Sequence, residues 1–219
     1  TWRLQGLAGA VRVVQFRTDA ARYYLTDPRH RLQVFENGVA LAVAASESAG
    51  VVLIEAETGS GVAAGTGMVL TADGKVLTNY HVVAGSEKLA VTIADTGNTY
   101  TATVIGFDQA KDVALLQLKD ASGLTTVTID DDQVAVGDDV AAVGNASGGG
   151  ELVKASGEVT ATDQSLTVSS DSPWGSSEDL SGLVETNARA VPGDSGGPMF
   201  DAEDAVQEIF VDVWKSAGR

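Results

Sequence analysis

This sequence contains no cysteine and no long apolar run, and each of these absences excludes a class of structure. Without cysteine the chain forms no disulfides, although export itself is permitted. No segment approaches the roughly 18 consecutive apolar residues of a membrane-spanning helix, so no membrane span is predicted. Only two histidines occur, His30 and His81, which leaves few candidates for histidine-dependent chemistry.

Positive charge is concentrated near the amino terminus. The whole chain carries a net charge of −16. Residues 1–36 contain six arginines against three acidic residues, a balance of +3, which leaves −19 for the remainder. A strongly acidic body repels nucleic acid and anionic lipid at long range, so neither is expected as a partner of the main domain. The apolar content of 44% is sufficient for a packed core.

The chain divides into three parts by amino-acid composition and strand pattern. Residues 1–48 are arginine-rich, contain short β-like runs without a motif, and are predicted to be an appendage or small β-element of unknown role. Residues 49–135 show six short strand signals separated by turn residues, the pattern of a small antiparallel barrel. Residues 136–219 continue with short strands and form a second β-unit. The strands predicted for the first barrel are Val51–Ala56, Met68–Leu70, Lys75–Thr78, Leu89–Ile93, Thr99–Phe107 and Val113–Leu118.

The second half contains two segments that we predict to be loops. Gly144–Gly150 is glycine-rich, but no lysine follows and no helix pattern opens, so a mobile hairpin loop is predicted rather than a phosphate-binding loop. Asp171–Ser181 is rich in serine and is predicted to be a long polar loop beside the serine-containing turn described next. The strands predicted around them are Val136–Val143, Leu152–Val159, Ser165–Val168 and Gln207–Trp214.

The heptapeptide Pro192–Pro198 carries the strongest signal of chemistry. It reads Pro-Gly-Asp-Ser-Gly-Gly-Pro, so Ser195 stands among three glycines and between two prolines. Glycine permits positive φ and close backbone approach, which suits a strained turn that presents one hydroxyl. The N–H groups of Gly193 and Ser195 could point together at a developing oxyanion. Because a bare serine is a weak nucleophile, this interpretation requires a base and an orienting acid elsewhere.

His81 and Asp112 are the candidates for that base and acid. His81 lies in the apolar run Val76–Val83, where a strand would deliver it to a rim. Asp112 opens Val113–Leu118, a run apolar enough to be a buried strand, so its charge can be shielded and hold one imidazole tautomer. Asp108, four residues earlier, is the rival acid. The chain order histidine, aspartate, serine is one of those known for catalytic triads.

Four ordered blocks resemble the trypsin-like serine peptidases, and most of all their bacterial HtrA-like branch. The resemblance extends from about Val51 to Phe200, and its blocks are Thr66–Leu70, Thr78–Val83, Asp112–Leu116 and Gly193–Pro198. It implies a mainly β, chymotrypsin-like fold of two six-stranded antiparallel barrels packed face to face. It also implies a serine endopeptidase that forms an acyl-enzyme on polypeptide substrates, with no metal or cofactor and a role in protein quality control. An exported or cell-envelope location is expected, with a cytoplasmic one left open.

The resemblance assigns a role to each site residue. Ser195 is the expected nucleophile, His81 the general base and Asp112 the acid that orients His81. Gly193, Asp194 and Ser195 are expected to form the oxyanion hole. Asp194 stands where the HtrA-like branch often has asparagine, so this position is more similar to the trypsin side of the family. We expect Asp194 to help hold the turn.

The residues just before the turn are expected to line the pocket for the substrate side chain that precedes the cleaved bond. An inward Arg189 would favour an acidic substrate residue through a charge-assisted pair. An outward Arg189 would leave a small apolar pocket, which matches the small aliphatic residues that HtrA-like relatives generally take, and we favour this alternative. The predicted pocket residues are Ala188, Arg189, Ala190 and Val191.

The carboxyl-terminal part departs from the family pattern. After Phe200 the family continues for several strands and usually a helix, whereas this sequence offers Gln207–Trp214 and then Arg219. The second barrel is therefore expected to be incomplete unless the amino-terminal segment or another chain, such as a second copy, completes it. The alternative function is a catalytically silent module that binds peptides or partner chains. An esterase is disfavoured because the turn does not read Gly-x-Ser-x-Gly followed by aspartate and then histidine.

Overall fold

Short strands dominate the part of the chain that a computed structural model describes, which is residues 12–14, 22–26, 32–36, 39–40, 43, 45–59, 61–129, 134–169 and 177–200. The helices in these ranges are α1 (Ala45–Ser48) and α2 (Tyr80–Val83), with the 3₁₀ turns η1 (Gln109–Lys111) and η2 (Ala146–Gly148). None of them has the length and apolar character needed to cross a membrane. The strands are β1 (Arg12–Val14), β2 (Arg22–Thr26), β3 (Leu32–Glu36), β4 (Val39–Ala40), β5 (Val51–Thr58), β6 (Gly61–Val69), β7 (Lys75–Thr78), β8 (Lys88–Ile93), β9 (Thr99–Asp108), β10 (Val113–Leu118), β11 (Asp139–Gly144), β12 (Val153–Ser169), β13 (Ser177–Thr186) and β14 (Met199–Phe200).

Strands β5 to β10 close into a six-stranded antiparallel barrel in the order β10-β7-β6-β5-β8-β9. This confirms the six strands and the barrel predicted from the sequence. Alternate residues of each strand point inwards, so that Val52, Ile54 and Ala56 of β5 are fully buried in the barrel core. Closure pairs β9 with β10 and leaves no strand with an unpaired edge.

A second apolar cluster joins the barrel to the second half. Its barrel members point away from the barrel core and are at most 1% exposed: Val51, Met68 and Leu77. They pack with Val143 and Phe200 of the second half. Strands that are buried on both faces explain why the sequence shows continuous apolar runs here rather than a strict alternation. Phe200 follows the glycine-rich turn closely, so this cluster also anchors the turn to the barrel.

The second half contains a four-stranded antiparallel sheet in the order β13-β12-β11-β14. It differs from the prediction because β12 runs unbroken through both predicted strands, and because β13 begins at Ser177, inside the predicted polar loop Asp171–Ser181. The ladder continues from Ser165 opposite Ser181 to Ser169 opposite Ser177. Backbone hydrogen bonds hold such a hairpin even where its sequence has no apolar pattern. The prediction had relied on apolar patterns to recognise strands. The predicted last strand, Gln207–Trp214, lies outside the described residues.

The segment before the barrel contains both a sheet and a buried ion pair. Strands β1 to β4 pair sequentially and antiparallel, and the role of residues 1–48 stays a prediction. In α1, Glu47 is only 1% exposed, and its carboxylate contacts the Lys154 ammonium of β12. The pair links α1, which precedes the barrel, to β12 of the second sheet, and removing either partner would leave a poorly solvated charge.

Candidate active site

The ends of two neighbouring barrel strands bring His81 and Asp112 together. Strand β7 pairs with β10 so that Thr78 lies opposite Ala114. The chain therefore leaves β7 and enters α2 next to the residue that opens β10. The His81 Nδ1 atom lies 2.6 Å from Asp112 Oδ2, and the His81 backbone N–H donates to Asp112 Oδ1 at 2.8 Å. Both carboxylate oxygens thus hold the same histidine, one through the ring and one through the backbone.

The backbone of Asp112 is itself held in an uncommon conformation. Asp112 has φ 51° and ψ 48°, in the left-handed region, where it ends η1. Its carbonyl oxygen accepts hydrogen bonds from Tyr80 N at 3.1 Å and from Asn79 Nδ2 at 2.8 Å. Aspartate tolerates this region better than most residues. The rival acid, Asp108, lies at the end of β9 opposite Val113, and the carboxylate on the imidazole is that of Asp112.

Exposure differs across this pair in the way that a general base requires. The His81 side chain is 55% exposed and the Asp112 side chain is 15% exposed. The imidazole can therefore reach a substrate while the carboxylate behind it is shielded from solvent. The short Nδ1–Oδ2 contact selects the tautomer with the proton on Nδ1, so the proton-accepting lone pair is on Nε2.

The serine-containing turn is closed by Asp194. The Asp194 N–H donates to the Val191 carbonyl at 3.1 Å, and the Asp194 Oδ2 atom accepts from the Val191 N–H at 2.8 Å. The Gly197 N–H donates to the Asp194 carbonyl at 2.9 Å. The Asp194 N–H is therefore bonded inside the turn. This suits Asp194 as a support of the predicted oxyanion hole and not as one of its hydrogen-bond donors.

Glycine lets this turn lie directly on the barrel. At Gly196, φ is +82°, and an added Cβ atom would lie 2.2 Å from Thr78 Oγ1 and 2.3 Å from the Thr66 carbonyl oxygen. The same atom would lie 2.9 Å from Asn79 N, two residues before His81. Ser195, which is half-buried, therefore sits beside the segment that carries the histidine.

Two backbone N–H groups of the turn remain available for a ligand. The Pro192 carbonyl accepts from the Ser147 N–H at 2.6 Å. Since the C=O and N–H of a trans peptide point in opposite directions, the Gly193 N–H points away from Ser147. Within the described residues, neither the Gly193 nor the Ser195 N–H donates to another residue. A pair of free, fixed donors beside a serine hydroxyl is what an oxyanion hole requires.

The glycine-rich loop Gly144–Gly150 joins the antiparallel strands β11 and β12, as the predicted hairpin loop should, and its first residues are packed. Asn145 is 2% exposed and Ala146 is 1% exposed. Positive φ values at Ser147 and Gly148 curl the backbone into η2, and the Ser147 N–H reaches the carbonyl of Pro192. This hydrogen bond joins the loop to the Ser195 turn.

The predicted pocket residues lie along the approach to the turn. Arg189 and Ala190 are exposed, whereas Ala188 and Val191 are half-buried. Gly157 of β12 forms the neighbouring wall, because a Cβ atom added there would lie 2.3 Å from Ala188 N. Among the described residues, no group of three or more histidine, cysteine, aspartate or glutamate side chains is arranged to hold a metal ion.

Sequence reasoning missed the role of two buried polar residues. Thr66 of β6 is fully buried and Asn145 is 2% exposed; the Thr66 hydroxyl donates to the Gly193 carbonyl of the Ser195 turn and accepts from the Asn145 N–H. The available signal was a threonine between two glycines in an otherwise apolar strand, since a polar group in such a place needs hydrogen-bond partners. Those partners belong to the other half of the chain, which a local pattern does not reveal.

Comparisons with known proteins agree with this geometry. The model of the trypsin-like peptidase domain matches residues 65–206. A probable serine protease do-like from Buchnera aphidicola is 39% identical over 141 residues, which are 64% of this chain and 27% of that protein. A probable periplasmic serine endoprotease DegP-like from Ectopseudomonas mendocina is 35% identical over 158 residues, 70% of this chain and 30% of that protein. The chain thus spans about a third or less of the curated relatives it matches.

Solved structures show the same relationship. The Rv3671c protease from M. tuberculosis, in its active form, matches with a TM-score of 0.63 and 29% identity, covering 75% of this chain and 70% of that one. The HtrA-type protease AlgW with a tripeptide matches with a TM-score of 0.61 and 27% identity, covering 73% and 49%. Together with the family match, these similarities confirm the resemblance read from the four sequence blocks, and the chain belongs to the trypsin-like peptidase family, close to the DegP- and HtrA-type serine proteases.

Proposed function

We propose that the chain is the catalytic domain of a serine endopeptidase, in which Ser195 is the nucleophile, His81 the general base and Asp112 the residue that orients His81. The observation that carries the proposal is the His81–Asp112 contact of 2.6 Å at the rim where the Ser195 turn docks. Free N–H groups on both sides of Asp194 support an oxyanion hole made by Gly193 and Ser195.

The proposed reaction proceeds through an acyl-enzyme. The Ser195 hydroxyl oxygen attacks the scissile carbonyl carbon while His81 Nε2 takes the hydroxyl proton. The carbonyl oxygen becomes an oxyanion that the two N–H groups stabilise. When the C–N bond breaks, His81 returns the proton to the leaving amine, and an ester to Ser195 remains. Water then attacks the ester carbonyl with His81 as its base, which releases the carboxylic acid product and restores the Ser195 hydroxyl.

A fluorophosphonate probe tests the proposal on the protein as it stands. The Ser195 oxygen is expected to displace fluoride from phosphorus, and peptide mass analysis is expected to locate the adduct on Ser195. The reaction needs both an activated hydroxyl and a formed oxyanion hole. The Ser195→Ala protein is the negative control, and His81→Ala is expected to react far more slowly because the base is missing.

The probe also separates the proposal from its main alternative. A folded sample that stays unlabelled at Ser195 would remove peptidase chemistry and favour a module that grips peptides without cleaving them. Equal labelling of wild type and His81→Ala would remove His81 from the role of base. Circular dichroism on each sample shows whether the protein is folded before either conclusion is drawn.

For substrate preference, we expect a small aliphatic residue before the cleaved bond. Arg189 is exposed, and the half-buried Ala188 and Val191 leave apolar surface at the predicted pocket. Valine is therefore expected to exceed glutamate at this position by roughly 10-fold or more in kcat/KM, since an unpaired carboxylate would lose its hydration there. Two peptides that differ only at this residue measure the ratio. A preference for glutamate would mean that Arg189 turns into the pocket.

The proposed substrates are polypeptides in an exported or envelope compartment, with protein quality control as the proposed role. The support is the naming of several relatives as periplasmic serine endoproteases. A related protein from Arabidopsis thaliana, 31% identical over 164 residues, is named chloroplastic. Fractionation of the source cells with an antibody to this chain would locate it directly.

A further inference from the structure

One fully buried threonine connects the barrel to the catalytic turn. The Thr66 N–H donates to the Ser195 carbonyl at 2.8 Å, and the Thr66 hydroxyl donates to the Gly193 carbonyl at 2.7 Å. The same hydroxyl accepts from the Asn145 N–H at 2.8 Å. Because an N–H can only donate, the single hydroxyl proton is committed to Gly193, and the direction of each bond is settled.

These contacts determine how the peptide groups around Ser195 are turned. Each trans peptide is planar, so holding its carbonyl also sets the direction of the next N–H. Thr66 holds the carbonyls of Gly193 and Ser195. It therefore fixes the Gly193–Asp194 and Ser195–Gly196 peptides, which lie on either side of the peptide that bears the Ser195 N–H. The Ser147 N–H holds the Pro192 carbonyl and thereby aims the Gly193 N–H outwards.

The loop and the threonine form one support. Asn145 donates to the Thr66 hydroxyl and Ser147 donates to the Pro192 carbonyl, from positions two residues apart. The two carbonyls of Pro192 and Gly193 are therefore both anchored, one by the loop directly and one through Thr66. Without the hydroxyl, the Gly193 carbonyl and the Asn145 N–H would both lose a buried partner, and rotation of the peptide would relieve that cost.

We infer that Thr66 is a positioning residue of the oxyanion hole: its hydroxyl holds the Gly193 carbonyl and so fixes the peptide between the two that bear the Gly193 and Ser195 N–H groups, which keeps both donors aimed at the substrate carbonyl. This inference rests on the proposed peptidase function. Thr66 touches no substrate atom in this role and acts only through the turn.

Two substitutions at Thr66 separate positioning from packing. Thr66→Val keeps the side-chain volume and removes the hydroxyl, whereas Thr66→Ser keeps the hydroxyl and removes a methyl group. Loss of an oxyanion donor outright costs about 10²- to 10³-fold in kcat, so a misaligned donor is expected to slow fluorophosphonate labelling of Ser195 by roughly 10- to 100-fold in Thr66→Val. Thr66→Ser is expected to label within about 3-fold of wild type, although both variants melt at a lower temperature.

Peptide hydrolysis and a distant control complete the test. In Thr66→Val, kcat is expected to fall while KM changes little, because the oxyanion forms only in the transition state. Thr92→Val removes a hydroxyl that pairs with the Thr99 hydroxyl at 2.9 Å on the barrel surface, and it should label at the wild-type rate. If Thr66→Val does not fold, Thr66→Ala is expected to show the same slowing.

The outcomes distinguish this inference from the proposed function. If wild type is labelled and the folded Thr66→Val protein is labelled equally fast, the positioning role is wrong and the peptidase proposal stands. If Thr66→Ser and Thr66→Val slow in step with their loss of melting temperature, Thr66 acts only in packing. If folded wild type is not labelled at all, the proposed function fails first and the inference fails with it.

Discussion

Asp112→Asn is expected to lower kcat/KM on a peptide substrate by about 10⁴-fold while the protein stays folded, the size of effect known when the acid of a triad becomes an amide. The reason lies in the two hydrogen bonds that Asp112 accepts. Oδ1 takes the His81 backbone N–H at 2.8 Å, and Oδ2 takes the His81 Nδ1–H at 2.6 Å. An asparagine can offer an oxygen to only one of them.

Either orientation of the amide disturbs the base. With its NH₂ group towards the ring, asparagine forces Nδ1 to become the acceptor and moves the proton to Nε2, where it blocks proton abstraction from Ser195. With its NH₂ group towards the backbone, two donors face each other behind the ring. The fold should survive, since asparagine is among the residues that best tolerate the φ of 51° found at position 112.

Asp108→Asn is the matched control for this prediction. Asp108 is four residues away at the end of β9 and was the rival acid in the sequence, so the same change of charge is made nearby. It should leave kcat/KM within about 3-fold of wild type, the modest effect expected of a surface charge. If Asp108→Asn loses activity and Asp112→Asn keeps it, the assignment of the acid is wrong.

The first barrel was predictable because its information is local. Strands β5 to β10 carry short apolar runs bounded by turn residues. Successive side chains of a strand point to opposite faces, so Val52 packs in the barrel core and Val51 in the second apolar cluster. The proximity of His81 to Asp112 was also predictable, because each residue borders a strand of that barrel and the family pattern supplies the pairing. The glycines around Ser195 predicted a turn that packs closely against other backbone atoms.

The second half was predicted less well, for physical reasons. The β12–β13 hairpin is held by backbone hydrogen bonds between serine-rich segments, such as Ser169 opposite Ser177, and therefore lacks an apolar signature. The loop at Asn145 looks flexible by composition, yet its N–H groups find carbonyl and hydroxyl acceptors across the molecule. The bond from Thr66 to Gly193 joins residues 127 positions apart, and no window of sequence contains both.

Gly193→Ala is expected to lower kcat/KM by at least about 10²- to 10³-fold, because it disturbs the N–H that would face the oxyanion. Gly193 has φ +100°, where a side chain is strained. An added Cβ atom would also lie 2.2 Å from the Asn145 carbonyl oxygen and 2.8 Å from Gly148 N, which are backbone atoms of the supporting loop. The turn and the loop must move apart, and the Gly193 N–H moves with them.

Gly97→Ala provides the control that isolates the catalytic effect from the cost of positive φ. Gly97 has φ +71° and no atom within 4 Å of an added Cβ, so the substitution strains the backbone without a clash. Both variants should lose roughly 1 kcal/mol or more of unfolding free energy, and only Gly193→Ala should lose activity. Chemical denaturation measures the first quantity and peptide hydrolysis below the melting transition measures the second. A folded Gly193→Ala protein that hydrolyses peptides at the wild-type rate would show that the oxyanion is bound elsewhere, and Thr66 would then have no donor to position.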